Sequence, residues 1–226
     1  MPLMKGILFD NDGTLVDTHD LILSSLKYST RTVLGRVIPD DKLMCKVGQP
    51  LAAQMADFTH DEAEFAELVR VYREHNHAHH DQEVRAFPGT AEALSQLQAQ
   101  GMSLGVVTSK MHALAWRGLE ISGLAPFLDC CIGCDDCPKF KPDPEPVVMG
   151  VQALGLKPGE CIYVGDSPFD LQAGRAAGCK TIAVTWGIFT EEELAAEHPD
   201  FIAHTFAELV EQACSASSSS GMGEVS

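Results

Sequence analysis

Asp10 and Asp12 stand one residue apart in ILFDNDGTLVDT, directly after an apolar run and directly before Gly13-Thr14. Carboxylates at the end of a buried segment are costly unless a cation or a set of donors meets them. Three later apolar runs end in the same fashion. LGVV is followed by Thr108, Ser109 and Lys110, DCCIGCDD by Lys139 and Lys141, and CIYVG by Asp166, Ser167 and Asp170. Brought together, these side chains offer carboxylate oxygens suited to a hard divalent cation. Hydroxyl and ammonium groups are left over for a phosphate.

The clusters share a site only if the runs before them lie side by side. MKGILFD, LGVVTS, LDCCIG, CIYVGD and KTIAVTW read as buried strands. Helical patterns at 90–100, 112–122, 144–155 and 168–177 alternate with the last four. Gly101, Gly123, Gly155 and Gly178 fall where such helices stop. The alternation predicts an α/β fold, a Rossmann-like parallel sheet of about five strands with helices on both faces. Ligands of such a sheet bind beyond the carboxyl ends of the strands, which is where every cluster sits.

About seventy residues between FDNDGTL and FPGTAEAL have no strand pattern. Residues 20–34 and 61–80 read as amphipathic helices, the second with Phe65, Leu68, Val69 and Tyr72 as an apolar stripe. This predicts a discontinuous core over 1–16 and 85–214, with an inserted all-α helical domain over 17–84. The low-complexity segment 215–226 is expected to be a mobile tail.

The net charge of −16 argues against nucleic acid and anionic membrane as partners, because the long-range field repels polyanions. No apolar run approaches the roughly 18 residues of a membrane span. MPLMKGILFD turns acidic too early for a signal peptide, so a cytoplasmic protein is expected. Four of the eight cysteines cluster as Cys130, Cys131, Cys134 and Cys137. Overlapping C-x-x-C steps can suggest zinc, but they supply no second, separated ligand pair, and a strand using Cys as a small hydrophobe is the preferred reading. His75 and His79 share a helix face at i, i+4, again without a third ligand. They read as a helix end with partial burial and pH-sensitive packing.

The sequence resembles the haloacid dehalogenase superfamily on four motifs in order: D-x-D-G-T at 10–14, the strand-terminal Thr108, Lys141 in KPDPEP, and G-D-S-x-x-D at 165–170. The resemblance runs from about residue 4 to 210 and is greatest for phosphoglycolate phosphatases and the pyrophosphatases of the same type. It implies Mg²⁺ held by the Asp10 carboxylate, the Asp12 backbone carbonyl and Asp166. It also implies Asp10 as nucleophile and Asp12 as general acid and then base. Thr108 would bind the phosphoryl oxygens, Lys141 would neutralise Asp10 and the transferring group, and Asp170 would orient Lys141 or the waters of the metal rather than bind the metal itself. Dehalogenases of the superfamily lack the second Asp, so Asp12 favours phosphate chemistry. Asn11 departs from the usual apolar residue at that position, and the sequence offers no reason for it.

The resemblance further implies that the insertion is a small cap whose loop reaches into the site. KVGQPLAAQ fits that loop, with Gly48, Gln49 and Pro50 at its tip. Ser109 and Lys110 join Gly48 and Gln49 as expected substrate contacts. No Arg stands in this loop to grip a second phosphate, although Lys46 is close. The leading expectation is a phosphatase of a small phosphomonoester such as phosphoglycolate, acting as monomer or homodimer. A pyrophosphatase using the same residues is the alternative. A catalytically silent binding protein is the third reading, and it would be expected to lose Asp10, Asp12 or Lys141, all of which are present.

Overall fold

In a computed structural model of the chain, which describes residues 3–218, the strands are β1 (Gly6–Phe9), β2 (Val16–Asp17), β3 (Arg85–Ala86), β4 (Ser103–Val107), β5 (Cys130–Ile132), β6 (Cys161–Gly165), β7 (Lys180–Val184) and β8 (Phe201–Ala203). Six of them form one sheet in the order β5-β4-β1-β6-β7-β8, and every neighbouring pair is parallel. The five runs read as strands are all in it. The sixth, β8, is three residues long, too short to stand out as an apolar run, and adds an edge beside β7. The CCI triplet is β5, with Cys131 buried.

Four helices alternate with these strands: α5 (Thr90–Ala99), α6 (His112–Ile121), α7 (Glu145–Ala153) and α8 (Pro168–Ala177). The glycines expected to stop them all have positive φ, the left-handed conformation that ends a helix without a Cβ clash. Two further helices, α9 (Glu191–Ala195) and α10 (Phe206–Ser218), complete the core. α10 runs past Ser215, where the tail was expected to start; residues 219–226 lie outside the described residues. Strand alternation sorts the packing. Ile7 and Phe9 face a layer with Leu94, Leu119 and Leu209 of α5, α6 and α10, while Leu8 and Tyr163 face Val147, Val151 and Ala173 of α7 and α8.

Between β2 and β3 the chain is helical: α1 (His19–Leu34), α2 (Asp40–Met44), α3 (Leu51–Met55) and α4 (Glu62–Glu83). α1 and α4 pack along each other, and the group has its own core of Ile22, Leu26, Leu43, Met55, Phe58 and Leu68. Asp61 caps α4, its side chain accepting from the Ala63 and Glu64 amides, each at 2.9 Å. The two chain crossings are pinned to each other, since Val16 pairs with Ala86 and Asp17 with Arg85 in an antiparallel ribbon. Among the described residues, no helix is long and apolar enough to cross a membrane.

Candidate active site

The sheet order decides which strand ends meet. β1 lies between β4 and β6, so the strand order reverses there and the residues leaving all three converge on one crevice. The Asp10 amide still donates to Val164 O at 2.8 Å and the Thr108 amide to Ile132 O at 2.9 Å, so both residues begin their loops from fixed backbone.

The most buried part of this crevice is a carboxylate cluster around one lysine. Lys141 Nζ lies 2.8 Å from Asp10 Oδ1 and 2.6 Å from Asp170 Oδ1, and Lys141 is only 1% exposed. Asp170 is engaged on both oxygens. Oδ1 is 3.3 Å from the Tyr163 hydroxyl, and Oδ2 accepts from the Ser167 amide at 3.1 Å and from Ser167 Oγ at 2.5 Å. Those contacts also form the capping box that starts α8. Asp166 accepts from Thr14 Oγ1 at 3.0 Å and from the Ile188 amide at 2.9 Å. Gly13 is required beside it: φ is +83°, and a Cβ there would stand 2.3 Å from Asp166 Oδ2.

Burial raises the Asp10 carboxyl well above the usual carboxylate range. Lys141 opposes the rise, and Asp170 and Asp166 add to it. Asp166 is pushed up to about 7, by burial first and then by Asp170. Burial alone would pull Lys141 down, but Asp10 and Asp170 outweigh it and hold the ammonium charged. Among the described residues, Asp10, Asp166 and Asp170 are the one group of three or more His, Cys, Asp or Glu residues placed to share a cation, with oxygens all within 4.8 Å of one another. One buried ammonium serves three buried carboxyls. The surplus of hard oxygen donors fits a divalent cation of the Mg²⁺ type.

Asp12 points away from that cluster. Its Oδ1 accepts from Thr18 Oγ1 at 2.7 Å and from Lys110 Nζ, and its Oδ2 from Asn11 Nδ2 at 3.1 Å. Burial disfavours the charge, yet Lys110, Thr18 and Asn11 together hold the Asp12 carboxyl below the usual range. The side chain of Asn11, unexplained in the sequence, thus supplies one of three donors to Asp12.

Asp10 and Asp12 line a cavity of about 280 Å³ between the sheet edge and the helical insertion, together with Thr108, Ser109, Lys110, Gly48 and Gln49. The loop tip touches the core, because Ser109 Oγ donates to Gly48 O at 2.5 Å. Gln49 is held in turn by Gln54, which donates to its carbonyl at 2.7 Å. Lys141 stands deeper, beneath Thr108 and Ser109. Lys139 does not join the cluster; it is exposed and pairs with Asp143 and Glu145. Lys46 turns to Asp57. His75 stacks between Tyr28 and His79, and its Nδ1 lies 3.1 Å from Ser25 Oγ.

Four contributors escaped the sequence reading: Thr14, Thr18, Tyr163 and Arg73. Thr14 lies inside the quoted D-x-D-G-T motif, and its place after Gly13 was the available signal. Tyr163 is hidden in an apolar strand, where only the strand register places its hydroxyl 3.0 Å from Val107 O. Arg73 lines the cavity from α4.

Fold and site together define a Rossmann-like α/β core with a buried acidic crevice at the switch point of its sheet. The haloacid dehalogenase-like hydrolase family matches residues 7–184, and the chain belongs to it. A pyrophosphatase PpaX from Halalkalibacterium halodurans is 37% identical over 209 residues, covering 92% of this chain and 96% of the relative. PpaX from Bacillus cereus AH820 is 35% identical over 207 residues, covering 92% and 95%. Among solved structures, a predicted phosphoglycolate phosphatase from Haemophilus somnus 129pt superposes with a TM-score of 0.85 at 27% identity, covering 94% of this chain and 99% of that one.

Proposed function

We propose that this protein is a Mg²⁺-dependent phosphohydrolase acting through an aspartyl-phosphate on Asp10, and that its substrate is pyrophosphate. The observation that carries the chemistry is Lys141, which lies 2.8 Å from Asp10 while anchored on Asp170. A buried, permanently charged ammonium beside a nucleophilic carboxylate is what an anionic phosphoryl group needs in order to approach. Asp10 and Asp166, with the Asp12 backbone carbonyl, would hold the cation; both Asp170 oxygens are already taken. When bound, Mg²⁺ screens Asp10 from the phosphate and offsets charge on the transferring oxygens.

In the first step an Asp10 oxygen forms the new bond to phosphorus while the bond to the bridging oxygen breaks. The leaving phosphate takes that electron pair. Thr108 donates to the oxygens of the transferring group. In the second step Asp12 accepts a proton from water, whose oxygen attacks phosphorus, and Asp10 departs as the carboxylate. Three donors on Asp12 favour its anionic form, which suits the second step. An alkoxide leaving group needs a proton in the first step, whereas phosphate leaves as a stable anion. That difference, with the PpaX relatives, supports reading pyrophosphate as the substrate ahead of phosphoglycolate, the reverse of the order read from the sequence. The helices over 17–84 act in this reading as a cap over the core.

The test is phosphate release from pyrophosphate, phosphoglycolate and p-nitrophenyl phosphate, with Mg²⁺ or EDTA, in the wild type and in Asp10→Asn. Preference for pyrophosphate, abolished by EDTA and by the substitution, is the expected result. A higher kcat/KM for phosphoglycolate overturns the substrate. Silence on all three overturns the hydrolase and brings forward a binding protein on the same fold.

A further inference from the structure

The lysines of the site are already committed to carboxylates. Lys110 holds Asp12, and Lys141 holds Asp10 and Asp170. A substrate with two anionic groups needs a cation for the second one, and the one cation of the loop around Gly48, Lys46, is turned away to Asp57. The cavity supplies one from another element. Arg73, on α4, lines it on the same helix face as His77, one turn further on. Among the described residues, the Arg73 side chain has no hydrogen-bond or ion-pair partner. Arg70, at the preceding turn of the same helix, is held by Glu67 and Glu74. The Arg73 charge is felt across the cavity at the Cys134 thiol, in the turn after β5, where it partly offsets the rise caused by burial and Asp135. Among the described residues, the carboxylates lining the cavity are Asp10 and Asp12, and each already has its lysine.

We infer that Arg73 is the specificity residue of this site. Its guanidinium grips the anionic group on the leaving half of the substrate, with the His77 imidazole beside it, while Asp10 and Lys141 address the half that is transferred. A guanidinium fork matches a phosphate or a carboxylate with two parallel hydrogen bonds, which a lysine cannot do. The cavity of about 280 Å³ has room for a small dianion, and its remaining lining is largely apolar, from Ile22, Leu51, Leu114 and Phe140. Arg73 therefore selects small substrates with an anionic leaving group, and esters with a neutral leaving group gain nothing from it. This assignment rests on the phosphohydrolase reading above and adds a selecting residue to it.

The test compares Arg73→Ala, Arg73→Lys and Arg70→Ala with the wild type, using pyrophosphate and p-nitrophenyl phosphate, whose leaving group has no second anionic group to grip. Binding of the non-hydrolysable imidodiphosphate is followed by calorimetry with Mg²⁺. Loss of a charge-assisted hydrogen-bond pair corresponds to about a 10- to 100-fold change. Arg73→Ala should raise the pyrophosphate KM and the imidodiphosphate Kd by that factor, with kcat/KM for p-nitrophenyl phosphate within about twofold. Arg73→Lys should recover part of the loss, and Arg70→Ala should behave as wild type. Equal losses on both substrates, or unchanged imidodiphosphate binding, overturn the assignment while leaving the hydrolase intact. Wild-type protein that cleaves neither substrate overturns the hydrolase reading; unchanged imidodiphosphate binding in Arg73→Ala would then overturn the Arg73 site independently.

Discussion

Lys141 is the residue on which structure and chemistry depend together. Replacing it with Met leaves Asp10, Asp166 and Asp170 crowded without their ammonium. Breaking a buried ion pair on one side costs about 3–5 kcal/mol. Urea unfolding of Lys141→Met should therefore show an unfolding free energy lower by that order, and activity should be down by at least about 10²- to 10³-fold on every phosphorylated substrate. Loss on one substrate alone would contradict its place beside the nucleophile. Asp166 gives a readout that needs no turnover. Mg²⁺ at a hundredfold excess over its Kd should stabilise the wild type by about 2.7 kcal/mol. Thermal unfolding of Asp166→Asn should show little of that gain, and an equal gain would place the cation elsewhere. Asp10 and Asp166 could be read from the sequence because each is the first polar residue after a strand, and strand ends of a parallel sheet point to one edge. Arg73 could not, since its role depends on which face of α4 closes over the crevice. It stands next to Tyr72 but outside the apolar stripe of that helix, and nothing in the pattern marks it.

The elements over the site move only if their contacts with the core are few and breakable. Ser109 Oγ to Gly48 O is one such contact, and Gly48 has φ +100° with space for a Cβ only 2.9 Å from Ser167 Oγ. Ser109→Ala should raise KM severalfold while lowering the unfolding free energy by less than about 1 kcal/mol, the net value of one hydrogen bond. A large midpoint shift with unchanged KM would make the contact purely structural. Deeper in the same interface, His80 of α4 is buried against Gly118 of α6. Its Nδ1 is 3.1 Å from Asp81, and Lys110 and Asp12 also act on it. Burial lowers its pKa, so the folded state binds fewer protons than the unfolded chain. Its contribution is full above about pH 6.5 and is lost as pH falls below that, by at most about 1.4 kcal/mol per unit. Asp166, raised to about 7, works in the opposite sense, its contribution lost as pH rises through 7. The difference between wild-type and His80→Gln unfolding curves in EDTA from pH 7 to 5 isolates the histidine. No pH-dependent difference would remove it from the acid response. The long helices other than α10, and the buried strands, were legible because periodicity builds over many residues; α10 ends in a Ser-rich stretch that reads as a tail. α2, α3, β2, β3 and β8 were not, at two to five residues each. The β2–β3 ribbon in particular is made by two segments about seventy residues apart that find each other only in the folded chain.

At the scale of the whole molecule, the net charge of −16 and the local site oppose each other. The long-range field repels a pyrophosphate anion as it approaches, while Arg73, Lys110 and Lys141 attract it only within the last few ångströms. Salt acts unequally on the two. At about 0.1 M ionic strength the screening length is about 10 Å, enough to remove most of the diffuse repulsion but little of a contact inside a cavity. With Mg²⁺ held saturating, raising monovalent salt from about 10 to 150 mM should therefore increase kcat/KM for pyrophosphate severalfold, through faster encounter rather than faster chemistry. The gain should appear in KM with kcat nearly constant. It should be smaller for p-nitrophenyl phosphate, which carries less charge, and it should persist in Arg73→Ala, because the repulsive field belongs to the whole surface. A kcat/KM that falls with salt would mean that attraction at the cavity mouth already dominates at long range. The acidic surface would then have no part in setting the encounter rate.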